Sequence, residues 1–222
     1  MDGSHTDDDL LTVLRDKLYV AVVSDVLDAA GLHDQAMDHR LRPLAPEMRL
    51  VGRAHTVITA DIFEPLPEPY RLEIEAVDAL KPGDVMVAST NRSRRTCFWG
   101  ELLSTAATAR GATGCAIDGY VRDALAIIEM KFPVFATGFR PVDSASRSTV
   151  INYGVPVECG SVRVHPGDVV FGDYDGIVVI PQDRLRATVE AALAKVEGEN
   201  NTRDMLRQGA TLREVYDRYG VL

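Results

Sequence analysis

The chain has 222 residues, of which 46% are hydrophobic and 26% charged, and carries a net charge of −9. That length suits one large domain with its own core and is short for two independent ones. The acidic balance argues against nucleic acid, whose phosphates call for a basic face, but leaves room for a protein partner or for an anionic metabolite at a locally positive site.

Cys97, Cys115 and Cys159 are odd in number and show no C-x-x-C spacing. They read as reduced cytoplasmic thiols, not as a disulfide frame. The five histidines (His5, His33, His39, His55, His165) include no pair at i, i+4, which argues against a histidine-built zinc site. Met1 to Leu10 is polar and acidic, without a basic start or an apolar core, so no signal peptide is expected. No apolar run approaches a membrane span. The expectation is a cytoplasmic single domain over 1–222, with residues 1–9 a disordered tail and 182–222 a helical extension.

In chain order, Leu10 to Ala30 reads as two short helices stopped by Gly31. Val51 to Ala60, rich in valine and threonine, reads as a strand. Pro65, Pro67 and Pro69 mark a loop. Tyr70 to Leu80 reads as a helix ended by Lys81-Pro82-Gly83-Asp84, and Val85 to Ala88 as a strand. Glu101 to Arg110 is a helix closing at Gly111. Gly114 to Asp118 is a short buried strand ending in an Asp118-Gly119 turn, Arg122 to Met130 a helix, and Val134 to Ala136 another strand. This alternation favours an α/β sheet with parallel pairings. Val150 to Ile180, cut by glycines, reads as short, partly antiparallel strands. Leu185 to Val196 is a helix. Thr211 to Glu214 forms a capping box for a last helix that Gly220 stops.

The chemistry concentrates between Trp99 and Asp123. Gly100 opens a helix whose first N–H groups, on Glu101, Leu102 and Leu103, are free to meet a carboxylate. A strand delivers Arg122 and Asp123 at a strand-to-helix junction, where ligands sit in α/β sheets. Two acids, Glu101 and Asp123, thus flank one arginine. A 2-oxo acid chelates a hard cation such as Mg²⁺ through its carboxylate and keto oxygen, and cation and guanidinium together stabilise an enolate. The bland alternative is an Arg-Asp pair capping a helix beside a solvated glutamate.

These residues resemble the signature of the RraA-like family: an acid, twenty intervening positions, then Arg-Asp, here Glu101, Arg122 and Asp123. Ser24 to Asp28, Lys81 to Asp84, Gly111 to Gly119, Pro166 to Asp168, Asp173 to Pro181 and the ending Lys195 to Leu222, with its Tyr219 to Leu222, are also similar, so the resemblance covers roughly residues 10 to 222. It implies an α/β/α swivelling-domain type sandwich with a β-rich central part and C-terminal helices. It implies a metal-dependent lyase that cleaves a 4-hydroxy-2-oxo acid to pyruvate, with oxaloacetate decarboxylation as a side activity and no Schiff base. On the same ground Asp123 ligates Mg²⁺ (or Mn²⁺ or Co²⁺), Arg122 holds the keto oxygen, and Glu101 orients a water or carries the proton. The N–H groups of Leu102 and Leu103, beside Gly100, hold the substrate carboxylate. The partners implied are a small 2-oxo acid and further copies of the chain, as a homotrimer or a hexamer with sites at subunit boundaries. Glu197 or Glu199 is then the residue reaching a neighbour's site.

Two positions depart from the family pattern. The aldolases usually carry Asp where this chain has Glu101, and many have an acid at Ala126. The family also contains non-catalytic regulators that bind a ribonuclease; the full Glu101, Arg122, Asp123 set favours an enzyme. The methyltransferase label given to some such chains lacks support, because no glycine-rich nucleotide loop follows a first strand. Arg92, Arg94 and Arg95 offer themselves for a second substrate carboxylate or as a solvated loop. Asp173 and Asp175 in GDYDG read as a turn, Cys97 as buried, and Trp99 as packing beside the site.

Overall fold

The computed structural model describes residues 6–220. The first helix, α1 (Asp7–Lys17), opens with a reciprocal capping box: Thr6 N donates to Asp9 Oδ2 at 2.8 Å and Asp9 N to Thr6 Oγ1 at 3.3 Å. Three acids in its first turn and Arg15 and Lys17 in its last complement the helix dipole. The disordered tail expected over residues 1–9 is therefore corrected: helix begins at Asp7, and residues 1–5 lie outside the described residues. The same holds for Val221 and Leu222 of the Tyr219 to Leu222 ending.

Next come α2 (Val20–Ala29), β1 (Arg42–Pro43), β2 (Leu50–Asp61), α3 (Arg71–Asp78), β3 (Asp84–Ser89), β4 (Cys97–Trp99), α4 (Glu101–Ala109) and β5 (Gly114–Val121). They are followed by α5 (Ala124–Glu129), β6 (Val134–Phe139), β7 (Ser148–Tyr153), β8 (Val157–Cys159), β9 (Val162–Val164), β10 (Val169–Asp173) and β11 (Gly176–Ile180). Two helices, α6 (Leu185–Arg207) and α7 (Leu212–Tyr219), close the chain.

A nine-stranded mixed sheet organises these elements in the order β1-β6-β5-β3-β2-β10-β11, with β4 on β5 and β7 on β2. β2, β3, β5 and β6 run parallel, while β10, β11, β7 and β1 pair antiparallel. The central parallel strands are covered on both faces, so β3 and β5 read as continuous apolar runs and not as alternating ones. On one side α3, α4 and α5 seat Ala76, Val77, Ala107 and Ile127 against Met86 and Ile117. Elsewhere α1, α2 and α6 set Leu14, Val23, Leu27 and Val189 against Val51, Phe171 and Val178. The β8–β9 hairpin closes a third cluster with Val157, Val162 and Val164 over Val87 and Phe135. This is the α/β architecture with a β-rich centre and C-terminal helices that the sequence leads one to expect.

Several elements differ from expectation, and α5 starts at Ala124, not at Arg122. β5 does not end in a turn at Asp118-Gly119; it continues to Val121 through a register shift between Ile117 and Tyr120. The buried Asp118 carboxylate holds that irregularity by accepting from Thr90 N at 2.5 Å and Thr90 Oγ1 at 2.9 Å. α6 runs on past Val196 to Arg207, where Glu199 meets the Tyr19 hydroxyl. β4 was not anticipated, being only three residues long. The GDYDG segment is the expected turn: β10 and β11 pair from Asp173 opposite Gly176, and Asp173 Oδ2 also accepts from Val20 N at 2.8 Å, capping α2. All three cysteines are free and buried. Among the described residues no helix is long and apolar enough to cross a membrane.

Gly114 shows how tightly β5 is held. Its φ is 156°, and a β-carbon there would overlap Leu50 Cδ1 and lie 2.5 Å from the Pro133 carbonyl oxygen. Gly114→Ala is expected to destabilise the fold by about 1–3 kcal/mol, as overpacking of a close-packed core does, read as a lower urea midpoint at unchanged slope. An unchanged midpoint would contradict the packing described.

Candidate active site

Where β5 ends, the chain turns into α5 through Arg122 and Asp123. Asp123 caps that helix from a left-handed conformation, φ 59° and ψ 31°, which aspartate tolerates better than bulkier residues. The turn is fixed from outside: Arg122 N donates to the Trp99 carbonyl at 3.0 Å, locking it to β4. Trp99 is buried, and its Nε1 donates to Ser104 Oγ at 2.8 Å. Between Trp99 and α4 stands Gly100, where a β-carbon would sit 2.9 Å from Asp123 Oδ2 and 3.3 Å from Arg122 Cγ. Its φ of −154° is open to any residue, so glycine is needed for the space alone. With that space clear, Asp123 Oδ2 accepts the Glu101 N–H at 3.3 Å, joining the start of α4 to the β5–α5 junction.

The expected site residues therefore converge. Gly100, Leu102, Leu103, Arg122 and Asp123 share one cleft of about 310 Å³. The N–H groups of Leu102 and Leu103 lie in the first turn of α4, where no helical carbonyl is available to them. Glu101 joins through its backbone, while its carboxylate turns along the helix and accepts from Thr105 Oγ1 at 2.7 Å.

The cleft also holds groups the sequence did not single out. Arg122 Nη2 lies 3.2 Å from Asp143 Oδ1, and its Nε lies 3.8 Å from Asp123 Oδ2, so the guanidinium sits between two carboxylates. The Tyr70 hydroxyl donates to Asp143. Burial alone would raise Asp143, but the Tyr70 bond, the Ser144 N–H and Arg122 outweigh it and hold it below the usual carboxylate range. The same bond to Asp143, with burial, pushes Tyr70 up to about 12.

Glu73, on α3, is 8% exposed and lines the same cleft. Burial and then the charge of Asp143 push its carboxyl up to about 7. The hydroxyl of Ser144 donates to Glu73 Oε2 at 3.5 Å, and this bond and Arg122 counter the rise only in part. Cys97, on the cleft wall, is raised by burial and stays a neutral thiol.

Arg92, Arg94 and Arg95 lie away from this cleft. Arg92 and Arg94 border a separate cavity with Asp38, Arg40 and Tyr120; Arg95 reaches the Ile62 carbonyl and stacks on Phe63. Glu199 is engaged by Tyr19 and by Arg203 of its own chain, whereas Glu197 is exposed. Among the described residues no three acidic, histidine or cysteine side chains converge as a metal cage. Asp123 is a single half-exposed carboxylate opening on the cleft, which suits a hard divalent cation that keeps several waters and takes one or two carboxylates.

A family model described as RraA-like, Aldolase/RraA, matches residues 20–179. The chain belongs to the RraA-like family. Its relatives include DlpA of Legionella pneumophila, 29% identical over 199 residues, a match spanning 90% of this chain but only 32% of DlpA. A Halalkalibacterium halodurans protein provisionally named 4-hydroxy-4-methyl-2-oxoglutarate aldolase is 29% identical over 86% of both chains. Among solved structures, Streptomyces coelicolor RraAS2, described as an unusual member of the RNase ES inhibitor RraA protein family, superposes with a TM-score of 0.79. It is 27% identical, with 90% of this chain and 98% of that one covered.

In this RraA-like chain the groups missed from sequence are Tyr70, Glu73, Asp143 and Ser144. Tyr70 and Glu73 sit at the start of an ordinary amphipathic helix, and Asp143-Ser144 in a loop, so no local pattern marks them.

The position of Glu73 sets a pH dependence of stability. Below the usual carboxyl value of 4.5 it is protonated in folded and unfolded chains alike. As pH rises from there to about 7 the unfolded chain releases a proton that the fold retains, so stability is lost across that window. The penalty above pH 7 is at most roughly 3 kcal/mol. Urea unfolding of the wild type and Glu73→Gln is expected to show the variant gaining on the wild type between pH 5 and pH 8. A difference independent of pH would contradict the burial of an ionisable group there.

Proposed function

We propose that this chain is a divalent-metal-dependent carbon-carbon lyase that cleaves a 4-hydroxy-2-oxo acid to pyruvate and a second 2-oxo acid, with oxaloacetate decarboxylation as a side activity. The observation that carries this reading is the convergence of Arg122, Asp123 and the free N–H groups of Leu102 and Leu103 on one cleft. The aldolase-named relative of H. halodurans supports it.

The substrate carboxylate docks on the first-turn N–H groups of α4, where the helix dipole favours an anion. Arg122, kept in place by Asp143, presents its guanidinium to the keto oxygen and stabilises the negative charge that gathers there as the C3–C4 bond breaks. Asp123, with Glu101 beside it orienting water, would hold Mg²⁺, Mn²⁺ or Co²⁺. Such an ion supplies Lewis-acid polarisation of the 2-oxo acid. Among the described residues no lysine lines the cleft, and the proposed route runs through an enolate without a Schiff base.

The RraA-like chain is also proposed to assemble as a homotrimer or a pair of trimers with its sites at subunit boundaries. Apolar side chains support this: Leu102, on the cleft, and Leu125, just past Asp123, are 76% and 77% exposed, and Phe139 is 62% exposed. A group of exposed apolar residues marks a contact surface. The exposed Glu197 or the partly engaged Glu199 would reach a neighbour's site. A second reading, a non-catalytic regulator that binds a ribonuclease, is favoured by the likeness to RraAS2.

Pyruvate release from oxaloacetate, with Mg²⁺ or with EDTA, separates the two. Turnover is expected with Mg²⁺ and is expected to fall at least roughly a hundredfold with EDTA or in Asp123→Ala, as loss of several kcal/mol of stabilisation dictates. A folded wild type inactive with every divalent ion would move the assignment to the regulator.

A further inference from the structure

We propose that Glu73 is the proton carrier of this cleft, taking the C4 hydroxyl proton during cleavage and returning it to C3 of the product enolate. The proposal rests on the lyase reading above and assigns a role that reading leaves open.

The placement is specific. Glu73 is the cleft carboxyl most withdrawn from water, contributed by α3 to the same cleft as Arg122 and Asp123 and near enough to Arg122 to feel its charge. Among the described residues no cation pairs with it; its side-chain hydrogen bond is the long one from Ser144. The charged groups facing it are Asp143 and Arg122, with the Tyr70 phenol at the N-cap of α3. From α4 the cleft presents Leu102 and Leu103, and β7 adds Val150 to the core beneath.

The other three carboxyls of the site are committed. Asp123 is engaged by the Glu101 N–H and Arg122, and Asp143 by Tyr70 and Arg122. The Glu101 carboxylate accepts from Thr105 and is assigned above to orienting water. Two neighbouring carboxyls driven apart in acidity divide into a permanent anion and an exchangeable acid. Asp143 is the first of these and Glu73 the second, with an acidity suited to giving and taking a proton near neutrality.

The step balances without any further reagent. The Glu73 carboxylate accepts the C4 hydroxyl proton as the C3–C4 bonding pair passes into the enolate, and C4 becomes the carbonyl of the second product. The Glu73 acid then donates that proton to C3, forming the methyl group of pyruvate and restoring the carboxylate. Oxaloacetate decarboxylation needs no proton removed before the bond breaks, so only the second half involves Glu73, and solvent water can replace it there.

The test compares wild type, Glu73→Gln and Glu73→Asp, each with Mg²⁺. Two rates are measured: deuterium uptake into the methyl group of pyruvate in D₂O, and disappearance of oxaloacetate. Glu73→Gln is expected to lose exchange by roughly a hundredfold or more, the scale of general acid–base catalysis, while oxaloacetate loss falls by less than about tenfold. Glu73→Asp is expected to recover part of the exchange. The pH profile of wild-type exchange is expected to carry a step near pH 7 that Glu73→Gln lacks, matched by a carboxyl band in infrared difference spectra that titrates over the same range. If exchange in Glu73→Gln equals the wild type, or both rates fall together, Glu73 only holds the Ser144 loop and the proposal is overturned. A wild type with neither activity overturns the lyase reading itself, and the carrier with it.

Discussion

Everything at this site depends on the approach of the Asp123 carboxylate to Gly100. A single β-carbon at position 100 would lie 2.9 Å from Asp123 Oδ2. Its absence lets the start of α4 and the end of β5 meet, so that one carboxylate bonds the first N–H of a helix while standing beside Arg122. The left-handed backbone of Asp123 is the cost of that approach. It is sustained because Arg122 N is held by the Trp99 carbonyl and β4 is paired to β5. The buried sheet beneath makes the arrangement rigid: β3, β5 and β6 are close-packed on both faces, and Gly114 tolerates no side chain.

A second consequence is a division of labour among carboxyls. Arg122 is shared between Asp123 and Asp143, and Tyr70 adds its hydroxyl to the latter, so Asp143 stays ionised. Glu73, buried near that fixed negative charge without a cation of its own, is pushed the other way. Both acids line the cleft, and the burial of Glu73 keeps solvent from levelling the difference.

Much of the site was legible in sequence because its signals are local. Gly100, Glu101, Arg122 and Asp123 fall within 24 residues, spanning one helix and one strand, and the strand-to-helix junction places them at a sheet's carboxyl end. Thr211 and Glu214 similarly announce α7, and Gly220, at φ 66°, ends it. What escaped was tertiary. Glu73 and Asp143 are 70 positions apart, and each looks ordinary in its own segment. The extension of β5 past Asp118 is accompanied by bonds from Thr90, 28 residues upstream, and the continuation of α6 past Val196 by a contact with Tyr19. The capping box at Thr6 and Asp9 was present in the sequence but hidden among acids that read as a tail.

The central claim is that Arg122 and Asp123 form a metal-assisted enolate site, and oxalate, a planar dianion shaped like the enolate of pyruvate, tests it most directly. Calorimetric titration is predicted to show oxalate binding that requires Mg²⁺ and weakens roughly a hundredfold in Arg122→Ala, as a transition-state mimic does when its charge partner is removed. Equal binding with and without Mg²⁺, or undiminished binding in Arg122→Ala, would contradict the account.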